Sequence, residues 1–324
     1  MNINQETVKI REIFKKCLQF FLRYNTVFIF LIMLIISAMV SDVFFTGTNL
    51  FNLIRQVAPV GVISMGMLLV ILTGGIDLSV GSVLAMGGVL CALFTRNMPL
   101  SLAILASVGC GILVGSLSGY LVAVHKMAPF IATLALMTIV RGFGFIISKG
   151  GPIMVDNSAT ALNDFGSGYL LGIPNPALIM FLIFAITAIL LKYNIFGRII
   201  IAIGSNEEAV RLSGIRVAVY KFTVYAIAGG LSAIAGIISV SRTAVGSPVM
   251  GIGLELDVIA AVVIGGASLM GGKGSAINTL IGVLILGMIG NIMNLLGVPV
   301  YSQQVIKGVI IIFAVLLQRF QEKQ

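Results

Sequence analysis

Charge is what this chain has least of. Only 10% of its 324 residues are Asp, Glu, Lys or Arg, tryptophan is absent, and His125 is the single histidine. A soluble domain carries about 25% charged residues, so a surface that faces water on every side is excluded. Cys17, Cys91 and Cys110 form no CxxC pair, and one histidine beside them builds neither a metal centre nor a disulfide framework. No nucleophile–base constellation occurs, so no catalytic residue and no cofactor is expected. The net charge of +9 comes without an aromatic-basic patch or a nucleic-acid motif, which argues against a nucleic-acid partner.

What the chain has is apolar length. It is 59% hydrophobic, with a mean hydropathy of +1.13. A helix needs about 20 apolar residues to cross a bilayer core, and the apolar runs are continuous rather than alternating, which excludes a β-barrel. The expectation is an all-α polytopic membrane protein with about ten transmembrane helices, near 27–44, 58–73, 78–95, 98–122, 129–148, 176–192, 221–240, 256–270, 275–296 and 303–318. Small residues at Ser37-Ala38-Met39 would suit a cleaved signal peptide, but the run continues apolar to Phe45, as a retained anchor does.

Lysine and arginine set the orientation, because they favour the cytoplasmic side. With the N-terminus inside, that side holds Lys9, Arg11, Lys15, Lys16, Arg23, Lys126, Lys192, Arg198, Arg211, Arg216, Lys221, Lys273, Arg319 and Lys323. The other side holds Arg55, Arg96, Lys149 and Arg242, while Arg141 and Lys307 fall within segments. Both termini are therefore expected in the cytoplasm. The chain reads as one transmembrane domain, 1–324, with a basic cytoplasmic segment at 1–26, an external loop at 149–175 and a cytoplasmic loop at 193–220. The external loop carries Asp156, Asp164, Phe165 and Tyr169, and suits either partner docking or a place at headgroup level.

Three passages interrupt the apolar pattern. In Leu72–Ser82, Gly74 and Gly75 can unwind a helix while Asp77 or Ser79 caps the next one. The simpler reading is a tight turn near the cytoplasmic edge; the functional one is a broken helix lining a path. In Gly251–Asp257, at the expected outer end of the eighth segment, Glu255 and Asp257 stand two apart and diverge by about 200° on a helix. They cannot share one ligand, and a first-turn position suits at least one of them. Gly74, Gly75, Asp77, Ser79, Glu255 and Asp257 are the candidate pathway, gate or helix-break residues. Gly265–Ser275 looks like a phosphate loop but fails, with Ala267 where the first glycine belongs and Gly274 after Lys273. Gly111, Gly115 and Gly119 recur at the spacing of close helix packing.

A polar passage, "GSNEEAVRLSGI" at 204–215, breaks the chain between two apolar runs. Ser205 and Glu208 have capping-box spacing, Glu207 and Glu208 fall in a first turn, and Gly214 supplies a stop. So short a helix needs something to lie against, either its own membrane surface or a partner's groove.

Here a resemblance enters. Glu208–Gly214 resembles the E-A-A-x-x-x-G cytoplasmic loop of ATP-binding-cassette permease subunits, departing at Val210. The match is closer still to the ribose-type sugar permeases. It runs through "FFTGTNLFNLIRQ", "VILTGGIDLSVGS", "APFIATLALMTIVRG", "NEEAVRLSGI", "ELDVIAAVVIGGASLMGGKG" and "NLLGV", in order over almost the whole chain. Close relatives often have Ala at the place of Glu208.

The resemblance implies the permease fold of vitamin B12-type importers in a bacterial cytoplasmic (inner) membrane. It implies a second permease subunit (identical or a related paralogue), cytoplasmic ATP-binding subunits that spend the ATP, and an external sugar-binding protein. The helix near 206–213 would be the coupling helix. Ala209 and Gly214 would permit close seating, with Glu207, Glu208 and Arg211 making polar contacts. The leading substrate is ribose; another pentose, a hexose, autoinducer-2 or a nucleoside are alternatives within the same superfamily. A proton-coupled secondary transporter relaying through Asp77, Glu255 or Asp257 is the reading from another class.

Overall fold

The computed structural model describes residues 25–156 and 158–322; Lys9, Arg11, Lys15, Lys16, Cys17, Arg23 and Lys323, on which parts of the sequence reading rest, lie outside them. Among the described residues, six helices are long and apolar enough to cross a membrane. They are α2 (Gly47–Leu72), α4 (Leu100–Ala123), α5 (Pro129–Ile147), α7 (Asn175–Tyr193), α10 (Val217–Thr243) and α12 (Ala276–Leu295). Shorter apolar helices are α1 (Asn25–Val40), α3 (Val80–Phe94) and α8 (Ile195–Ser205). The remaining helices are α6 (Thr160–Ser167), α9 (Glu207–Leu212), α11 (Leu254–Ile264) and α13 (Val300–Glu322).

The bundle is built around α2 and α10. Their apolar windows are 78% and 67% buried, against 22% for α4 and α7. Leu105 and Leu113 on α4 and Ile146 on α5 stand out from the surface, an apolar exterior that suits lipid rather than water. The glycine spacing seen in α4 has its counterpart across the interface. Gly111, Gly115 and Gly119 meet Gly229, the Tyr225 carbonyl and Phe222 of α10, and a Cβ on Gly119 would sit 2.8 Å from the Phe222 backbone. Small residues let the two backbones touch.

Two expectations are corrected. The segment expected at 256–270 ends as a helix at Ile264, because Gly265 packs on Thr279 and Gly266 takes a left-handed φ of +82°. Nor does α11 begin at the outer end of its neighbours. After β4 (Val245–Gly246), the chain doubles back along α3: Gly246 lies against Gly88 and Ala92, Gly251 against Gly81 and Leu84. The first turn of α11 therefore sits beside the first turn of α3, inside the bundle. Non-helical backbone at such depth is tolerated where protein surrounds it.

The stretch 149–175 is not a bare loop. It holds β1 (Ile153–Met154), paired with β4, then α6, and then a hairpin of β2 (Tyr169–Leu170) and β3 (Ile173–Pro174). Tyr169 is clasped to α2, with the Arg55 guanidinium 4.8 Å above its ring and Phe51 edge-on at 5.7 Å.

Candidate functional site

The passage at 204–215 forms α9, preceded by the amphipathic α8. Asn206 separates them in an extended conformation, and its Oδ1 accepts a hydrogen bond from the Ala209 N–H at 2.9 Å. This corrects the capping assignment. Ser205 is the last residue of α8, and its hydroxyl donates to the Ile201 carbonyl at 3.0 Å, so the Ser205–Glu208 capping box does not form. Phe196, Ile200 and Ile203, spaced to pack one face of α8 inward, carry that helix up to the polar break. Gly214 ends the passage with a φ of +80°.

Val210 anchors α9, buried with Ile203 and Val217. The charged residues are already paired within the chain. Arg211 grips Glu208 through two hydrogen bonds, at 3.0 and 2.5 Å, and Lys221 of α10 reaches Glu207 at 2.6 Å. The Arg211 hydrogen bond and charge hold the Glu208 carboxyl below its ordinary 4.5. Solvent screens exposed pairs of this kind, so they add little stability; they orient the helix. Ala209, Leu212 and Gly214 are left facing outward, and Leu212 is 76% exposed. Leu212 is thus a large aliphatic side chain displayed between two ion pairs.

Just before α9, three backbones meet at glycines. Gly204 packs against the Leu72 carbonyl and against Gly271 and Gly272. The Gly272 N–H donates to the Leu72 oxygen at 3.0 Å, and Gly271 abuts Gly74. Gly74, Gly271 and Gly272 all have positive φ, between +73° and +90°, a conformation glycine adopts without the penalty of a Cβ. The phosphate-loop look-alike is thus a joint tying the end of α2 to the approach of α9.

Beyond Gly74 the chain climbs to α3. The Ile76 carbonyl accepts from Thr133 of α5 at 3.3 Å and from Tyr225 of α10 at 3.5 Å. Asp77, only 1% exposed, accepts from both the N–H and the hydroxyl of Ser79, at 2.9 and 2.6 Å. Geometry makes it the holder of a tight turn, enclosed by protein.

Glu255 and Asp257 diverge. Glu255 Oε2 lies where a Cβ on Gly81 would come within 2.7 Å, whereas Asp257 turns to α13 and pairs with Lys307 at 2.7 Å. Both stand in the first turn of α11. The candidate pathway residues therefore form no single cluster. Two basic residues within expected spans gain partners: Lys307 as above, and Arg141, which donates to the Pro248 and Met250 carbonyls at 2.7 and 2.6 Å and holds the doubled-back stretch. A lone cation inside an apolar run was the signal for both.

Residues 49–315 match the family described as branched-chain amino acid transport system / permease component. The chain is 47% identical over 289 residues to the ribose import permease protein RbsC of Bacillus subtilis, covering 89% of this chain and 90% of that one. It is 45% identical to the protein of the same name from Haemophilus influenzae, over 90% and 92% of the two chains. The L-arabinose transport system permease protein AraH of Escherichia coli is 38% identical over 93% and 92%. No solved structure matches the chain.

Proposed function

Because the chain belongs to the branched-chain amino acid transport system / permease component family, we propose that it is the membrane-spanning subunit of an ATP-binding-cassette importer that carries ribose. The observation that carries this is 47% identity, spread over nine-tenths of both chains, to a protein named as a ribose import permease. The family description names amino acids, but relatives named for ribose stand at 41–47% identity and relatives named for L-arabinose at 36–38%.

The subunit works with cytoplasmic ATPases, an external sugar-binding protein and a second permease chain, in a bacterial inner membrane with both termini inside. It has about ten spans in the vitamin B12-importer arrangement, α3 and α11 counting as short members. Nucleotide is bound and hydrolysed by the partner subunit, and this chain supplies the handle. Ala209, Leu212 and Gly214 of α9 seat in the ATPase groove, while Glu207, Glu208 and Arg211 keep the helix in one orientation. Displacement of α9 pulls on Gly204 and Ser205; these bear directly on Leu72, Gly271 and Gly272, and Gly271 in turn abuts Gly74. Packed backbones transmit such a shift because they deform little, so the break ahead of α3 moves with the handle.

The test is reconstitution with the ATPase and binding protein in sealed vesicles. Uptake of labelled ribose should require ATP and the binding protein, and excess arabinose should compete weakly. Uptake driven by a proton gradient without ATP would replace this reading with the secondary-transporter one.

A further inference from the structure

A cavity of about 170 Å³ lies between α2, α11, α12 and α13, bordered by Gln56, Val57, Val60, Asp257, Gly290 and Lys307 among others. Resting on the importer reading above, we infer that this groove is a contact site for a neutral polyhydroxylated ligand, with Gln56, Asp257 and Lys307 as its hydrogen-bonding groups and ribose as its occupant.

Depth is the first argument. Lys307 lies seven residues into α13, roughly 10 Å from its start, while Gln56 follows Arg55, whose guanidinium packs on Tyr169 of the β2–β3 hairpin, and so stands at the mouth of the groove. Asp257 reaches the same region because α11 starts inside the bundle, beside the first turn of α3. Ionisable groups at such depth are costly toward hydrocarbon and face protein or water. Yet the Asp257 and Lys307 side chains are 28% and 32% exposed, and both border the cavity.

Chemistry and size then select the ligand. A carboxylate accepts from hydroxyls, an ammonium donates to them, and the Gln56 amide does both. One positive and one negative group side by side give a site without net charge, so an ionic ligand would leave one partner uncompensated. Val57 and Val60 offer an apolar wall to the C–H face of a ring, and a Cβ on Gly290 would meet nothing, which leaves that side open. A cavity of about 150 Å³ holds a six-membered ring. An amphiphilic ring matches both the apolar wall and the polar groups of this lining.

The experiment uses full-length chain in vesicles with the ATPase and binding protein, starting from a form with Cys17→Ser, Cys91→Ser and Cys110→Ser that retains uptake. A Gln56→Cys reporter should react with a membrane-impermeant thiol reagent, and ribose-loaded binding protein with a non-hydrolysable ATP analogue should slow that reaction several-fold compared with sugar-free binding protein. A cysteine at Leu113, on the apolar exterior, should not react. Inert Gln56→Cys, or labelling at one rate with and without ribose, overturns the proposal. The exchange of Asp257→Lys with Lys307→Asp provides a second readout. It restores an ion pair but moves the donors, so the complex should assemble while the maximal rate of ribose uptake falls at least about tenfold. Wild-type uptake from the exchanged pair would show a purely structural tie and overturn the site. Wild-type vesicles that take up no ribose with ATP and binding protein would instead sink the importer reading itself.

Discussion

The amide of Gly272 donates a hydrogen bond to the carbonyl of Leu72 at 3.0 Å. This one bond joins the loop after α11 to the last residue of α2, and Gly204, at the approach to α9, is packed against both partners. A carbonyl at a helix C-terminus has no intrahelical donor; here a distant glycine satisfies it.

Substituting Gly204 by valine should break this joint. Its Cβ would run into the Leu72 carbonyl and the Gly272 amide, neither of which can rotate away. Overpacking of this sort costs about 1–3 kcal/mol. The expected outcome is a chain that inserts and still binds its ATPase but melts earlier in detergent and no longer couples hydrolysis to uptake. Normal coupling in Gly204→Val vesicles would remove the joint from the mechanism.

Leu212→Glu should act at the handle instead. Leu212 is exposed and carries no intramolecular ion pair, so the fold should be untouched. Loss of a buried aliphatic anchor in a groove costs about 1–2 kcal/mol or more, close to a tenfold weakening. Co-purification of the ATPase reads it. Exchanging Glu208 and Arg211, which only reverses an ion pair inside α9, should weaken the complex less.

Asn206→Ala removes the acceptor that caps the Ala209 amide. Such caps are worth about 1 kcal/mol, a large share of what holds a helix of six residues. Hydrogen exchange across 207–212 should accelerate several-fold, and Asn206→Asp should restore protection. Equal exchange in Asn206→Ala would mean that Val210 packing alone holds the helix.

The pH response of α9 has a definite sign. Arg211 depresses the Glu208 pKa below 4.5 in the folded chain, so the pairing contributes stability above the ordinary value and loses it as pH falls through the depressed one. Infrared spectra of isotope-labelled Glu208 should show the ionised carboxylate persisting below pH 4.5, and Arg211→Gln should return its titration to the ordinary range. Titration unaltered by that substitution would contradict the pairing.

Within the bundle, Asn49 of α2 and Asn291 of α12 exchange amide hydrogen bonds at 3.0 and 2.9 Å. Asn49→Leu should leave the Asn291 amide short of a partner and cost about 1–3 kcal/mol. Adding Asn291→Leu should recover part of that loss, as read by thermal unfolding in detergent. Strict additivity of the two would deny the pair.

Much of this was legible without coordinates. The apolar runs place α2, α4, α5, α7, α10 and α12, because twenty apolar residues have few other fates. The spacing of Gly111, Gly115 and Gly119 announced a close helix contact, though not its partner. Asn206 is hard to single out as the cap because Ser205 offers the same capping chemistry one residue earlier. The apolar face of α8 was hidden by the loop-like residues on either side of it.

The sequence by itself determined that this chain lives in a membrane, that it lies in a sugar-permease lineage, and that a short polar helix stands near 206–213, observed as Glu207–Leu212. These are local or compositional properties, set by hydropathy, spacing and capping. Tertiary structure alone decided that Gly204, Leu72 and Gly272 share one joint, and that Glu255 and Asp257 serve different neighbours. It also decided that Asp257 meets Lys307 beside a cavity between α2, α11, α12 and α13. Those facts depend on the chain doubling back at 245–253, and glycine-to-glycine contacts between segments far apart in sequence carry no local signature.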